Sequence, residues 1–234
     1  MRSDWQHLRK PRNTKMIEIT NEDNMVLMAR YPDKYFDLAI VDPPYGIDHA
    51  NKAGKMAGQQ FGNAAAKKRN YKSKDWDTSI PSLDYFNELI RVSKNQIIWG
   101  GNYFAHLLNP KSGWIFWDKE NGDNNFSDGE LAWSSFDKGL RMVKVTWNGM
   151  IQYDMKNKED RFHPTQKPIK LYRWLLDNYA NSGDKILDTH LGSGSIAIAC
   201  SDNHFDLTAC ELDKDYFDAA MKRLQQHQSQ TKLF

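Results

Sequence analysis

Two stretches of the chain carry residue types whose spacing could do chemistry. The first is VDPPYG, Val41–Gly46, where an aspartate, two prolines and an aromatic close an apolar run. Neither proline can continue a helix, and Pro43 lacks the N–H that a strand interior needs, so regular structure stops there. Asp42, the Pro43 carbonyl and the ring of Tyr45 then stand at a spacing that Pro43 and Pro44 make rigid: two hydrogen-bond acceptors and one flat face. The second stretch is ILDTHLGSGSIAIACSDNHFDLTACELD, in which a strand ends at Asp188, a loop turns on Gly192 and Gly194, and a small-residue helix follows. Glycines there let the backbone approach a ligand closely, and a helix N-terminus offers N–H donors. Glu211 ends the next strand, where an acid can accept hydrogen bonds from ribose hydroxyls. Strand, glycines, helix, strand and terminal acid together predict a site for a nucleoside-containing cofactor. A short glycine pattern alone is a weak signal, as often a mere tight turn as a ligand loop. With Ala197 at the third glycine position, the loop leaves a dinucleotide possible.

The elements that must position these residues alternate. MIEIT (Met16–Thr20) reads as a strand, and Asn21–Arg30 as a helix with Asn21 as its N-cap. FDLAIV (Phe36–Val41) reads as a buried parallel strand. Ser82–Ser93 is predicted helical, with Leu83, Phe86, Leu89 and Ile90 on one face. QIIWGG, GWIFWDK, GELAWSSF and VKVTWNG are strand-like and rich in tryptophan. The turn RFHPTQKP precedes a helix over Ile169–Tyr179. KILDTH is a strand, Ser195–Ser201 a helix, LTACEL a strand and Lys214–Gln226 a helix. The pattern implies an open α/β sheet, mostly parallel, with helices on both faces. If the sheet is circularly permuted, MIEIT pairs beside the strand before Glu211. FDLAIV then lies beside the glycine-loop strand, which brings Asp42 opposite Asp188 at the carboxyl edge where such sheets bind ligands.

Composition sets bounds. The 234 residues, 40% hydrophobic and 26% charged, fit one domain with a substantial core. No apolar run approaches the roughly 18 residues that cross a membrane. The basic start MRSDWQHLRKPRNTK is followed by no signal-peptide core, and Cys200 and Cys210 form neither a disulfide framework nor a ligand cluster. A cytoplasmic location is therefore expected. A net charge of +2 names no partner. Between Asp48 and Asp75, however, Lys52, Lys55, Lys67, Lys68, Arg69, Lys72 and Lys74 gather in a stretch without apolar periodicity. A mobile basic loop at about 47–76, beside the DPPY stretch, suits a polyanion; a solvated surface loop is the plain alternative.

Taken together, VDPPYG, FHPTQKP and DTHLGSGS resemble the S-adenosylmethionine-dependent N6/N4 amino-methyltransferases of DNA, restriction-modification enzymes among them, in the β-type motif order. The resemblance runs from about Met16 to about Leu224. It implies a Rossmann-like methyltransferase sheet in a single catalytic domain, 1–234, without a large separate recognition domain. It also implies methyl transfer to the N6 amine of an adenine extruded from double-stranded DNA, and allows a homodimer. By resemblance Asp188, His190, Gly192, Ser193 and Gly194 line the methionine part of the cofactor, Glu211 bonds its ribose and Leu212 packs on its adenine. Thr165 and Lys167 reach its carboxylate or its loop. Asp23 stands where the family has an acid at the adenine edge, and equally suits a helix first turn. His190 departs from the phenylalanine usual there. Asp42 and Pro43 would accept the amine N–H groups, with Pro44 stiffening the turn and Tyr45 stacking on the base, and Lys67, Lys68, Arg69 and Lys72 would contact DNA. His163 reads as a packed turn residue, and Trp99, Trp114, Trp117, Trp133 and Trp147 as core. Cytosine N4 methylation uses the same chemistry, but its enzymes commonly carry serine at the position of Asp42. RNA or a protein amide as substrate, and a non-catalytic nucleotide-binding module, are the other readings.

Overall fold

The computed structural model describes residues 16–48, 77–122, 127–148 and 151–231. An eight-stranded sheet runs β1-β10-β9-β2-β3-β5-β4-β6. Its strands are β1 (Ile17–Thr20), β2 (Phe36–Val41), β3 (Ser93–Trp99), β4 (Trp114–Asp118), β5 (Gly129–Ser134), β6 (Arg141–Lys144), β9 (Lys185–Asp188) and β10 (Asp206–Cys210). From β1 to β3 all pairings are parallel; β5 is antiparallel to both β3 and β4, and β6 returns parallel to β4. A separate antiparallel pair joins β7 (Trp147–Asn148) to β8 (Ile151–Gln152). The predicted permutation holds, because β1 pairs with β10 and β2 with β9, Leu38 opposite Ile186 and Ala39 opposite Leu187. Val41 and Asp188 therefore end neighbouring strands on one edge.

Strand alternation sends side chains to two cores, one on each face. Ala39, Val41 and Ile98 pack under α1 (Asn24–Ala29) and α2 (Leu83–Val92). Leu38, Ile40, Ile97 and Trp99 pack under α3 (Ile169–Tyr179), α4 (Ser195–Asn203) and α5 (Lys214–Thr231). In α2, Ser82 caps the first turn and the buried face is Tyr85, Phe86, Leu89 and Val92. Full burial of Phe86 or Leu89 contributes about 2 kcal/mol each. Leu83 is exposed, so the buried stripe is rotated from the one the sequence predicts. Strand β3 starts immediately at Ser93, which fixes where that helix must turn.

Three further expectations shift. Asn21 does not cap α1; its amide donates to the Glu211 and Leu212 carbonyls, while Asp23 accepts from Met25 N and Val26 N as the true cap. VKVTWNG splits into the end of β6 and β7, and α5 continues beyond Gln226 to Thr231. Trp99, Trp117, Trp133 and Trp147 are buried, as expected for core. The stretch 49–76, with Lys67, Lys68, Arg69 and Lys72, lies outside the described residues. No helix among those described is long and apolar enough to cross a membrane.

Candidate active site

The carboxyl ends of β1, β10, β9 and β2 open onto a cavity of about 610 Å³, within the range of small-ligand sites. Of the residues singled out from sequence, Asp23, Asp42, Pro44, Thr165, Lys167, His190, Gly192, Ser193, Glu211 and Leu212 line it. Pro43, Tyr45, Asp188 and Gly194 are not among the residues that line it. His163 also lines the cavity while packed against Tyr216, with ring centroids 4.2 Å apart.

At the glycine-loop end, backbone N–H groups hold the acids. Glu211 Oε2 accepts from Gly192 N at 2.8 Å and its Oε1 from Asp213 N at 2.9 Å. Each carboxylate oxygen can accept more than one hydrogen bond. Asp188 Oδ1 accepts from His190 N at 3.0 Å. Burial pushes the Asp188 carboxyl up to about 8, helped by the nearby charges of Asp42 and Glu211. His190 is fixed by Asn24, whose amide nitrogen is 3.1 Å from Nε2, and by Thr189 Oγ1, 3.0 Å from Nδ1. The amide donates, so Nε2 is the acceptor and Nδ1 carries the hydrogen. Burial lowers His190 to about 4, so the ring is neutral near pH 7. Gly194 adopts φ +73°, and a Cβ there would meet Ala220 Cβ at 3.1 Å; the tight loop and its approach to α5 both call for glycine.

At the DPPY end the acids are held by ammonium groups. Asp42 Oδ2 lies 2.5 Å from Lys167 Nζ, and Oδ1 accepts from the Tyr45 hydroxyl at 2.7 Å. Glu130 Oε2 is 3.0 Å from the same Lys167 and 3.3 Å from the same hydroxyl, while Lys119 sits on Oε1 at 2.5 Å. Burial alone would raise Glu130, but Lys167 and Lys119 outweigh it and hold the carboxyl down at about 2. Asp42, which shares Lys167 and faces Glu130, is raised by burial and by that neighbouring charge. Burial opposes the charge on Lys167, yet the two carboxylates keep it protonated. Tyr45 stacks on Tyr103, centroids 4.9 Å apart at 16°. Behind it Gly100 has φ +70°, and a Cβ would lie 2.2 Å from the Tyr45 ring.

Sequence reasoning missed several of these residues. Asp77 Oδ1 accepts from Tyr45 N at 2.9 Å and Gly46 N at 3.0 Å, fixing the DPPYG turn. Arg223 donates to the Ser193 carbonyl and to Ser195 Oγ, both at 2.9 Å, and pairs with Glu159 at 2.7 Å. Glu159 in turn accepts from Ile169 N, so one ion pair ties the glycine loop to the HPTQKP segment. Trp147 Nε1 donates to the Gln166 carbonyl in that segment at 2.8 Å. Two signals were visible: a glutamate inside the apolar strand GELAWS, and an arginine seven residues after Tyr216 on the apolar stripe of α5. Their partners lie far away in sequence.

The N6/N4 methyltransferase family model, described as DNA methylase, matches residues 102–222, just over half of the chain. The chain belongs to this family. It is 24% identical to the type II methyltransferase M2.DpnII of Streptococcus pneumoniae, over 90% of each chain. A shorter match, 35% identical, to M.HpaI of Haemophilus parainfluenzae covers 29% of this chain and 22% of that protein's length. Among solved structures, the M1.HpyAVI–SAM complex aligns over 89% of this chain and 99% of that one, at 20% identity and a TM-score of 0.55. The PvuII DNA methyltransferase, which is cytosine-N4-specific, aligns over 89% and 86% at 11% identity and a TM-score of 0.58. Both structural likenesses share the fold of this DNA methyltransferase.

Proposed function

We propose that the enzyme transfers a methyl group from S-adenosylmethionine to the N6 amine of adenine in double-stranded DNA. The observation that carries this reading is the position of Asp42, on the wall of the cofactor-sized cavity and one strand away from Asp188. The cavity's donor set suits that cofactor. Asp23, Glu211 and Asp213 are acids on its wall, and Lys167, the one lysine there among the described residues, is spent on Asp42 and Glu130. Such a wall favours a cationic ligand, and a carboxylate such as Glu211 can accept more than one hydrogen bond, as ribose hydroxyls would require. Neutral His190 places no positive charge against it. When bound, the cofactor supplies a methyl group activated by a sulfonium.

The chain's own residues would do the rest. An adenine reaches the cavity only out of the stack, at a cost of a few kcal/mol that the pocket must offset. Asp42 and the Pro43 carbonyl would accept the two N–H bonds of its amine. The amine nitrogen, whose lone pair is otherwise drawn into the ring, then becomes pyramidal and aims that lone pair into the cavity. Negative charge on Asp42 stabilises the cationic amine that forms. That ammonium is acidic, so its proton leaves readily and no strong base is required. Tyr45 gives the base an aromatic surface. An aspartate rather than a serine at position 42 favours adenine over cytosine. Lys67, Lys68, Arg69 and Lys72 would contact the phosphates. Charge reversal at Lys67, Lys68 and Arg69 should then lower DNA affinity and flatten its salt dependence.

The test is transfer from labelled S-adenosylmethionine to unmethylated duplex DNA, with the nucleosides identified after digestion. N6-methyladenine is expected. N4-methylcytosine would overturn the base assignment alone, and absence of label in DNA would overturn the reading.

A further inference from the structure

We propose that Glu130 is a positioning residue that takes over Lys167 and the Tyr45 hydroxyl when a base enters, releasing Asp42 to accept the amine. This rests on the role proposed above for Asp42. Both Asp42 oxygens already have protein donors, the Tyr45 hydroxyl on Oδ1 and Lys167 on Oδ2. A carboxylate so engaged is a weak acceptor, and an ammonium at 2.5 Å opposes the positive charge that grows on the amine nitrogen. The two donors share a second acceptor in reach, a single atom, and Lys167 also donates to the Tyr45 hydroxyl oxygen at 3.1 Å. Glu130 Oε2 is 3.0 Å from Lys167 Nζ and 3.3 Å from the Tyr45 hydroxyl. Lys119 fastens the other oxygen, Oε1, at 2.5 Å, so Glu130 is anchored by one oxygen and presents the other. Strand β5 supplies the anchor by pairing with β4, Glu130 opposite Trp117. A move of Lys167 and the hydroxyl toward Glu130 leaves the count of charges unchanged: two ammonium groups still face two carboxylates. Nothing needs to be protonated or expelled for Asp42 to be uncovered.

Glu130→Gln keeps the shape and removes the charge, so Lys167 should remain on Asp42. Single-turnover methyl transfer should then slow about 30-fold, within the range expected for losing a hydrogen bond to a charged group, while the Kd for S-adenosylmethionine and the Kd for DNA stay within about twofold. Glu130→Asp, which restores the charge on a shorter arm, should recover most of the rate. A wild-type rate in Glu130→Gln, or a loss matched by weaker cofactor binding, would overturn the proposal; so would Glu130→Asp being no faster than Glu130→Gln. If Glu130→Gln does not fold, Lys119→Met, which unfastens the same carboxylate, should slow transfer in the same way, and an unchanged rate there overturns it. Asp42→Ala run alongside separates the two ideas. An inactive Asp42→Ala with a fully active Glu130→Gln defeats this inference only, whereas an active Asp42→Ala defeats the reading of the site on which it rests.

Discussion

The two halves of the site treat their acids differently. Near the glycine loop, Asp23, Asp188, Glu211 and Asp213 accept from backbone N–H groups. Glu22, also on that side of the cavity, pairs with Arg30. Near the DPPY turn, Asp42 and Glu130 are held by Lys167 and Lys119. Backbone donors orient a carboxylate without cancelling its charge, although burial keeps the Asp188 carboxyl largely protonated near pH 7, whereas an ammonium cancels that charge until it moves. On the proposed reading, one half would hold a cation that binds and stays, and the other, a neutral network, would rearrange for a base that enters and leaves. The same sheet edge builds both, which predicts that binding and transfer separate cleanly under mutation.

Glu211→Ala should break the first half most severely. Losing the acceptor proposed for ribose hydroxyls, and the anchor of Gly192, should weaken cofactor binding about 200-fold, near the low end for two hydrogen bonds to a charged group; isothermal titration with S-adenosylmethionine measures it. DNA affinity, read separately by gel shift, should not change. Gly100→Ala should sharpen the second half. The added Cβ pushes Tyr45 off its position, and kcat should fall about tenfold with cofactor affinity unchanged, about 1.4 kcal/mol on the barrier.

The bridge between the halves predicts a smaller catalytic effect. Arg223→Gln leaves Glu159 without its cation and loosens the glycine loop from the HPTQKP segment. The KM for cofactor should rise about fivefold with kcat within twofold, and unfolding in urea should show a loss of about 3 kcal/mol, as for one partner removed from a buried pair. The last effect is one of pH. Asp188, at about 8 in the folded protein, lies above its unfolded value of about 4. Folding therefore retains a proton there, and the stability this contributes is present below pH 4 and lost as pH rises through 8. Thermal unfolding should show the wild type falling behind Asp188→Asn between about pH 4 and pH 8, with a constant difference above. Parallel curves would remove Asp188 from that role.

Much of this architecture is legible in the sequence because apolar runs and their terminators are local. FDLAIV must stop at Pro43, ILD at the glycine loop, and the order of the sheet follows from where the carboxyl ends have to meet. The cap of α1 was not legible, since Asn21, Asp23 and Asn24 are all good caps and only the packing of β1 on β10 draws the Asn21 amide to the Glu211 and Leu212 carbonyls. The place of Lys167 was hidden for another reason. Its motif borders the cavity, yet its long arm reaches Asp42, 125 positions earlier in the chain. Glu130 and Arg223 announced themselves as charges on apolar faces, but a charge in a strand or helix does not reveal its partner.

The separation of binding from transfer is the central claim, and Asp42→Ala tests it most directly. Cofactor affinity and single-turnover transfer to duplex DNA should be measured on one preparation. The account predicts a Kd for S-adenosylmethionine within about threefold of wild type and a transfer rate at least about 100-fold lower. Transfer near the wild-type rate, or a loss explained entirely by weaker cofactor binding, would contradict it.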